Sequence, residues 1–267
     1  MLLKGATDLK ILAIGDIVGT KAVSEISRYL SGLKREFGAQ FTVINGENAD
    51  MVGILPTQAN AILQAGADVI TLGNHTFGRQ KIVPYLENEP SILRPYNIPG
   101  LTVGRGYGIF DTCGKRILVA SLLGRCGMNF GPDSPFYAAD KILGDNLGKY
   151  DIALFDFHAE ATSEKIALAH YLDGRVSAVW GTHTHVQTAD ERVFPKGTGY
   201  ITDLGMTGPH NSVIGASYET SLPTFLGHVP VSFAEAEGDT MINGVCLDVD
   251  SDGKCREVVR INRILKG

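Results

Sequence analysis

The sequence predicts an α/β fold with a largely parallel central sheet, and three observations favour it. Short apolar runs alternate with stretches of helical periodicity through much of the chain. The 267 residues are 44% hydrophobic, which is enough apolar material for a large buried core. The 32 glycines are dispersed among the apolar runs and indicate many tight loops. Alternation of strands and helices is typical of parallel sheets whose strands are joined by helices.

The strands are expected where short apolar runs are bounded by turn residues. These runs are Leu9–Ile14, Phe41–Ile44, Asp68–Leu72, Arg116–Leu122, Ile152–Phe157 and Val176–Trp180. Helices are expected where apolar residues recur at helical spacing. One such stretch runs from Ile26 to Phe37 and ends at Gly38, and the others are Pro56–Ala65, Ala138–Leu147 and Ser163–Leu172.

The C-terminal third has a different pattern, with alternating polar and apolar residues. It predicts antiparallel strands over Val229–Ala236, Met241–Asp250 and Arg256–Leu265, joined by Gly- and Asp-containing turns. No repeat, low-complexity tract or linker interrupts the sequence. We therefore expect a single domain spanning residues 1–267.

The charge and cysteine content exclude several classes of function. Lys and Arg total 24 against 29 Asp and Glu, so the net charge is −5 and no duplex nucleic acid partner is expected. Small anionic substrates are still compatible, because a bound metal supplies local positive charge. The four cysteines have no C-x-x-C spacing, which favours reduced thiols and a cytoplasmic protein. Neither a signal-peptide pattern nor an apolar run long enough for a membrane span is found.

Polar residues follow five of the expected strands at the point where each strand ends. They are Gly15-Asp16, Asn45-Gly46-Glu47-Asn48, Gly73-Asn74-His75, Asp156-Phe157-His158 and Gly181-Thr182-His183-Thr184-His185. Because the carboxyl ends of parallel strands lie along one edge of a sheet, we expect these side chains to meet there. His183 and His185 are two residues apart on an expected extended segment, so they should point the same way.

The candidate ligands at this edge include the two carboxylates Asp16 and Glu47, the two asparagines Asn48 and Asn74, and four histidines. Such a mixture of oxygen and imidazole donors favours Mn, Fe, Zn or Co over Mg or Ca alone. Each motif by itself has a simpler interpretation: Asp16 as a helix cap, Glu47 as a solvated turn residue, His158 as a structural histidine. Four of the seven histidines fall at strand ends, however, which favours a metal site with enough ligands for two ions.

In their order along the chain, these motifs resemble the calcineurin-like metallophosphoesterase superfamily. Four longer strings resemble its bacterial YmdB-like branch, namely residues 44–49, 155–165, 181–190 and 202–209. The resemblance covers nearly the whole chain and implies a layered β-sheet core flanked by helices. Most superfamily members have Gly-Asp-x-His at the first strand, whereas Val18 stands at the fourth position here and cannot bind a metal. The YmdB-like branch shares this departure, which implies that Asn48 acts as a ligand instead.

The resemblance also implies a ligand set and an activity. It implies two divalent or mixed-valence ions per chain, with Fe or Mn expected. One ion would take Asp16, Glu47, Asn48 and His185, and the second would take Glu47, Asn74, His158 and His183, so that Glu47 bridges them. A hydroxide between ions about 3.5–4 Å apart can attack phosphorus in line. The implied enzyme is a dinuclear phosphodiesterase that hydrolyses 2',3'- or 3',5'-cyclic nucleotides. His75 directly follows Asn74, and its imidazole is the expected general acid for the leaving alkoxide; the alternative is that it only orients Asn74 or a phosphate oxygen.

Two other classes of protein share parts of this pattern. A metal-dependent amidohydrolase also uses an H-x-H motif, but there it follows the first strand of a barrel, whereas the first strand here ends in Gly-Asp. A regulatory protein that retains a phosphoesterase site and acts through contacts is the alternative to catalysis. The sequence leaves open the physiological substrate, the metal and the oligomeric state, and it is compatible with a homo-oligomer.

Further residues are candidates for contacts with the substrate. Phe77, Phe130 and Tyr137 could stack on a nucleobase, whereas Trp180 is expected in the core. Arg125 could bind a phosphate oxygen or form a surface ion pair. Residues 207–227 are rich in Gly, Ser and Pro, and either a rim over the site or an interface is compatible with that composition.

Overall fold

The computed structural model of the chain describes residues 8–100, 103–128, 131–227 and 231–266. Its strands are β1 (Leu9–Ile14), β2 (Asp16–Ile17), β3 (Phe41–Asn45), β4 (Val69–Thr71), β5 (Ile92–Leu93), β6 (Tyr107–Thr112), β7 (Lys115–Leu123), β8 (Ile152–His158), β9 (Ala178–Thr182), β10 (Arg192–Val193), β11 (Gly199–Ile201), β12 (Met206–Pro209), β13 (Thr240–Val249) and β14 (Cys255–Leu265). Its α-helices are α1 (Gly19–Phe37), α2 (Pro56–Gln64), α3 (Val83–Asn88), α4 (Pro135–Asp145), α5 (Thr162–Leu172) and α6 (Tyr218–Phe225), with a 3-10 turn over Gln80–Ile82 before α3.

The strands form two sheets. The first has the order β2-β12-β13-β1-β3-β4-β5, with β14 paired to β13. In it β1, β3, β4 and β5 run parallel, and β13 is antiparallel to β1. The second has the order β10-β11-β9-β8-β7-β6, with β11, β9, β8 and β7 parallel. The expected α/β class with a layered sheet core is confirmed, but the expectation that all five polar strand ends share one sheet is wrong.

The two sheets pack face to face, and helices cover their outer faces. Along β1, Ile11 belongs to the apolar layer between the sheets, whereas Leu12 packs with the residues of α1 and α2. On the second sheet, Val119 faces the first sheet and Leu118 packs toward α4 and α5. Because both faces of each sheet are covered, the central strands are continuous apolar runs instead of alternating patterns. Trp180 lies in the layer between the sheets, as expected.

The sequence of helix α1 accounts for its buried face and for the residue at which it ends. Ile26, Leu30 and Leu33 recur at helical spacing and are buried against the first sheet. The helix ends at Gly38, which has a φ of 65° and so takes the left-handed conformation that favours glycine. The predicted end of this helix is therefore confirmed.

The C-terminal third departs from its prediction in one segment. Strands β13 and β14 are confirmed, but residues 231–236 form no strand, and residues 228–230 lie outside the described part. Instead, the Glu235 carboxylate accepts hydrogen bonds from the backbone N–H groups of Thr20 and Lys21, at 3.0 Å each. Free N–H groups at the start of a helix need such acceptors. This contact with α1 and the isolated bridge between Ala216 and Glu235, with its backbone hydrogen bonds, hold the segment in place of a strand.

Residues 207–227 contain regular structure as well as loops. Strand β12 pairs with β2 and β13, and α6 follows after a turn. In the described part of the chain, no helix has the length and apolar character that crossing a membrane requires. The four cysteines are free thiols, as expected from their spacing.

Candidate metal centre

The polar strand ends of the two sheets meet at the same end of the sandwich. Glu47 follows β3 in the first sheet, His158 ends β8 in the second, and His183 follows β9. Their ligand atoms all lie within 4.8 Å of one another. The predicted convergence is therefore found, although three of the five strand ends come from one sheet and two from the other.

Four predicted ligands surround a common point. The Nε2 atom of His158 lies 2.9 Å from Glu47 Oε1 and 2.9 Å from Asn74 Oδ1. It lies 3.1 Å from the Nδ1 atom of His183. Donor atoms that each bind one ion at about 2.0–2.2 Å stand roughly 3 Å apart. The donor set and its spacing therefore fit a transition-metal ion.

Two further predicted ligands have buried oxygen atoms that find no hydrogen-bond partner among the described residues. They are Oδ1 of Asp16 and Oδ1 of Asn48. The other Asp16 oxygen accepts the His183 backbone N–H at 3.2 Å, and the Asn48 amide nitrogen donates to the Met51 carbonyl at 2.9 Å. Unpaired buried polar atoms are uncommon, and an ion is one of the partners that accounts for them. These two oxygens therefore also fit a metal.

The H-x-H motif differs from its prediction. His183 and His185 have φ angles of 103° and 64°, so they lie in a strained loop after β9 and not on an extended segment. The His183 ring turns toward His158, whereas the Nδ1 atom of His185 lies 2.9 Å from the Ile214 carbonyl. The two rings therefore have separate surroundings, which suits ligands of two different ions.

A buried ion pair holds this loop. Asp203 accepts hydrogen bonds from the backbone N–H and the hydroxyl of Thr184, the residue between the two histidines. The Nζ atom of Lys165 lies 2.7 Å from the same carboxylate, and both side chains are buried. Neither residue was predicted as part of the site. A lysine on the buried face of a helix is the signal that could have identified the pair, since such charges are rarely buried without a partner.

The electrostatics of the cluster follow from burial and proximity. Burial raises the pKa of Asp16 to about 6, and burial together with the His158 charge lowers the pKa of His183 to about 4. Burial alone would raise the pKa of Glu47, but the adjacent His158 lowers it below its usual range. Burial alone would lower the pKa of His158, but Glu47 raises it. Perturbed pKa values of this kind are typical of functional sites.

The glycine before Asn74 is required by close packing. A Cβ atom at Gly73 would collide with Glu47 Oε2 and would lie 2.5 Å from the His158 ring. We expect Gly73→Ala to displace these two side chains and to weaken metal binding. Calorimetric titration of the metal-free protein with Mn²⁺ measures the effect. Gly32→Ala is the matched control, because an added Cβ there meets nothing within 4 Å. Equal metal affinities in the two variants would contradict the expectation.

The remaining candidates differ in their proximity to the cluster. His75 is half-buried, and its backbone N–H donates to Glu47 Oε2 at 3.0 Å. Its ring has no hydrogen-bond partner within the described residues. The Phe77 ring packs against the core beneath α1 and α2, and Phe130 lies outside the described residues. Tyr137 is mostly exposed.

Arg125 lies beside the end of β8. The neighbouring Gly124 donates its N–H to the His158 carbonyl at 2.9 Å, and the Arg125 N–H donates to Glu164. The exposed Arg125 side chain lines a cavity of about 450 Å³ together with Phe136. No ion pair of the Arg125 guanidinium is formed with the described part of the chain.

Comparison with known proteins identifies relatives over nearly the full length. The family model described as "YmdB-like protein" matches residues 12–261. A protein of Bacillus subtilis named 2',3'-cyclic-nucleotide 2'-phosphodiesterase is 44% identical over 260 residues, covering 96% of this chain and 97% of its own length.

Two solved structures are similar to the chain in both sequence and fold. A crystal structure described as a novel phosphatase from Mycoplasma pneumoniae has 31% identity and a TM-score of 0.91, over 98% of this chain and 95% of its own. A hypothetical protein of Thermus thermophilus has 36% identity and a TM-score of 0.89, over 96% of this chain and 100% of its own. The family match and this similarity confirm the calcineurin-like metallophosphoesterase fold. The chain belongs to the YmdB-like protein family.

Proposed function

We propose that the chain is a dinuclear metal-dependent phosphodiesterase that hydrolyses cyclic nucleotides. The observation that carries this proposal is the convergence of Glu47, Asn74 and two histidines on one point at the end of the sandwich. The 44% identity to a 2',3'-cyclic-nucleotide 2'-phosphodiesterase supports the diester substrate. The 2',3'-cyclic nucleotides are therefore the first substrates to test, followed by the 3',5'-cyclic compounds.

In this proposal the ligands divide into two sets that share Glu47. Asp16, Asn48 and His185 bind one ion with Glu47, and Asn74, His158 and His183 bind the other with Glu47. The unpaired Oδ1 atoms of Asp16 and Asn48 support the first set. The contacts of about 3 Å around His158 Nε2 support the second. We propose Fe or Mn as the ions, as the resemblance to the metallophosphoesterases implies; the imidazole and carboxylate donors are compatible with these metals and also with Zn and Co.

The residues of the cluster have different roles in the proposed reaction. When bound, the two ions supply a nucleophilic hydroxide at neutral pH and offset the charge that develops on the phosphoryl oxygens. Glu47 is held in its orientation by the His75 backbone N–H. As the phosphorus–oxygen bond to the leaving group breaks, the His75 ring gives its proton to the leaving alkoxide oxygen. A cyclic diester is thereby opened to a monoester.

We expect a preference for diesters over monoesters. A dianionic monoester needs additional positive charge, and the strand ends at the cluster have no cluster of arginines in the described part of the chain. The measurement is kcat/KM on 2',3'- and 3',5'-cyclic nucleotides and on the corresponding monoesters. The diesters should have the higher values. Equal or higher values on a simple monoester would overturn the proposed specificity.

We propose that the enzyme is cytoplasmic and acts on small substrates, which the four free thiols support.

The identity of the metal can be measured directly. Elemental analysis of protein purified without added metal should find Fe or Mn. Zinc as the predominant metal would contradict this part of the proposal.

A further inference from the structure

A buried carboxylate that is not among the proposed ligands lies directly beneath the cluster. Asp156 is on β8, two residues before His158, and is fully buried. One of its oxygens accepts hydrogen bonds from the Thr71 hydroxyl and, at 3.1 Å, from the Asn45 amide. The other accepts the Thr182 hydroxyl at 2.7 Å. This carboxylate belongs to the second sheet. It contacts two strands of the first sheet, β3 and β4, and one neighbouring strand of its own sheet, β9.

Each of the three hydrogen-bond partners of Asp156 contacts a residue proposed as a ligand of the second ion or lies close to one in the chain. The Asn45 Oδ1 atom accepts the backbone N–H of Glu47 at 3.2 Å. Thr71 ends β4, three residues before Asn74. Thr182 immediately precedes His183, and its hydroxyl lies 2.9 Å from the Nδ1 atom of His158. The hydrogen bonds of the Asp156 network therefore reach Glu47 and His158, and two of its partners stand close in the chain to Asn74 and His183.

The direction of the hydrogen bonds fixes the orientation of the His158 ring. The Thr182 hydroxyl donates its single hydrogen to Asp156. The Thr182 oxygen is then free to accept the N–H of His158 Nδ1. This leaves Nε2 of His158, which faces Glu47, Asn74 and His183, to bind an ion with its lone pair. Metal-binding histidines are commonly held in this way by a partner on the far nitrogen.

We infer that Asp156 is a positioning residue for the second ion, acting through Thr182 on His158 and through Asn45 and Thr71 on the first sheet. The inference rests on the proposed two-ion site. None of the described contacts of Asp156 involves Asp16, Asn48 or His185, which belong to the other ion. Glu47, which serves both ions, is reached only through the Asn45 contact with its backbone N–H. Replacement of the Asp156 carboxyl group should therefore affect the two sites unequally.

The test measures Mn²⁺ binding to the metal-free protein by calorimetry and by elemental analysis. Asp156→Asn keeps the side-chain volume. It replaces one accepting carboxylate oxygen with an amide nitrogen, which then faces hydroxyl or amide groups that are themselves donors. We expect the second site to weaken about 10–100-fold, the range seen for groups that orient a metal ligand, while the first site is retained. Asp173→Asn is the matched control, because Asp173 is a buried acceptor for the Lys196 N–H at the turn after α5.

A second pair of variants keeps the test decisive should Asp156→Asn fail to fold. Thr182→Val removes the hydroxyl at nearly constant shape, whereas Thr182→Ser retains it. We expect Thr182→Val to weaken the second site and Thr182→Ser to bind both ions as the wild type does. Equal losses in Thr182→Val and Thr182→Ser would overturn the inference, as would two unchanged sites in Asp156→Asn or Thr182→Val. A wild-type chain that binds no second ion would contradict the proposed function, and the inference with it.

Discussion

Replacing Glu47 with Gln is expected to remove both metal ions and, with them, the activity. Glu47 is buried, with Oε1 2.9 Å from His158 Nε2 and Oε2 facing the His75 backbone. A carboxylate shared by two cations would offset their mutual repulsion with its negative charge. The glutamine amide has one oxygen and no charge. We expect the affinity of both sites to fall more than about 100-fold, the upper range for groups that only orient a ligand.

Elemental analysis and Mn²⁺ titration of the purified Glu47→Gln variant measure this effect. Asp50→Asn is the matched control in the same loop, because Asp50 forms an exposed ion pair with Arg79. The control should retain both ions. Two metals per chain in Glu47→Gln would show that Glu47 does not bridge them.

The second large effect is expected at His75. His75→Ala should retain both ions, because its contact with Glu47 is made by the backbone N–H. The variant should lose about 10²–10⁴-fold in kcat on cyclic nucleotides, whose alkoxide leaving group needs a proton. The loss should be much smaller on an activated aryl diester, whose leaving group departs without one. Steady-state kinetics on both substrates measure the difference.

A second substitution separates acid catalysis from simple orientation of Asn74 or of a phosphate oxygen. Glutamine retains a hydrogen-bond donor but cannot transfer a proton at neutral pH. His75→Gln should therefore be as impaired as His75→Ala on cyclic nucleotides. Recovery of activity in His75→Gln, equal losses on both substrates, or loss of metal would each argue against the acid role.

The central strands and the polar residues that end them could be predicted from the sequence. Both faces of the inner strands are buried, so their apolar runs are continuous and their boundaries are marked by polar residues. The run at Leu9–Ile14 coincides with β1 for this reason. The same contrast identified Glu47 and His158, because oxygen donors and four of the seven histidines fall together at strand ends, although each residue alone has a simpler structural interpretation.

The arrangement of the strands in two sheets could not be predicted in this way. The run of β8 has the same apolar character as that of β3, and periodicity does not distinguish sheets whose faces are all covered. Their separation depends on long-range packing, such as that of Val119 and Trp180 against the first sheet. The carboxyl ends meet nonetheless, because both sheets direct them to one end of the sandwich.

The residues that support the ligands were not predicted. Asp156 and Lys165 are ionisable residues at buried positions on β8 and α5, and their roles depend on partners distant in the chain. The alternation of H-x-H predicts an extended segment for His183 and His185, because that is the simplest interpretation of the spacing. The positive φ angles of this loop depend on the Asp203 contacts with Thr184, which sequence spacing does not reveal.

The dinuclear site is tested by X-ray diffraction from metal-loaded crystals at the absorption edge of the bound metal. Two anomalous peaks per chain are expected, on either side of the Glu47 carboxylate. One should lie beside Asp16, Asn48 and His185, and the other beside Asn74, His158 and His183. A single peak, or two peaks that do not share Glu47, would contradict the dinuclear site on which the proposed activity depends.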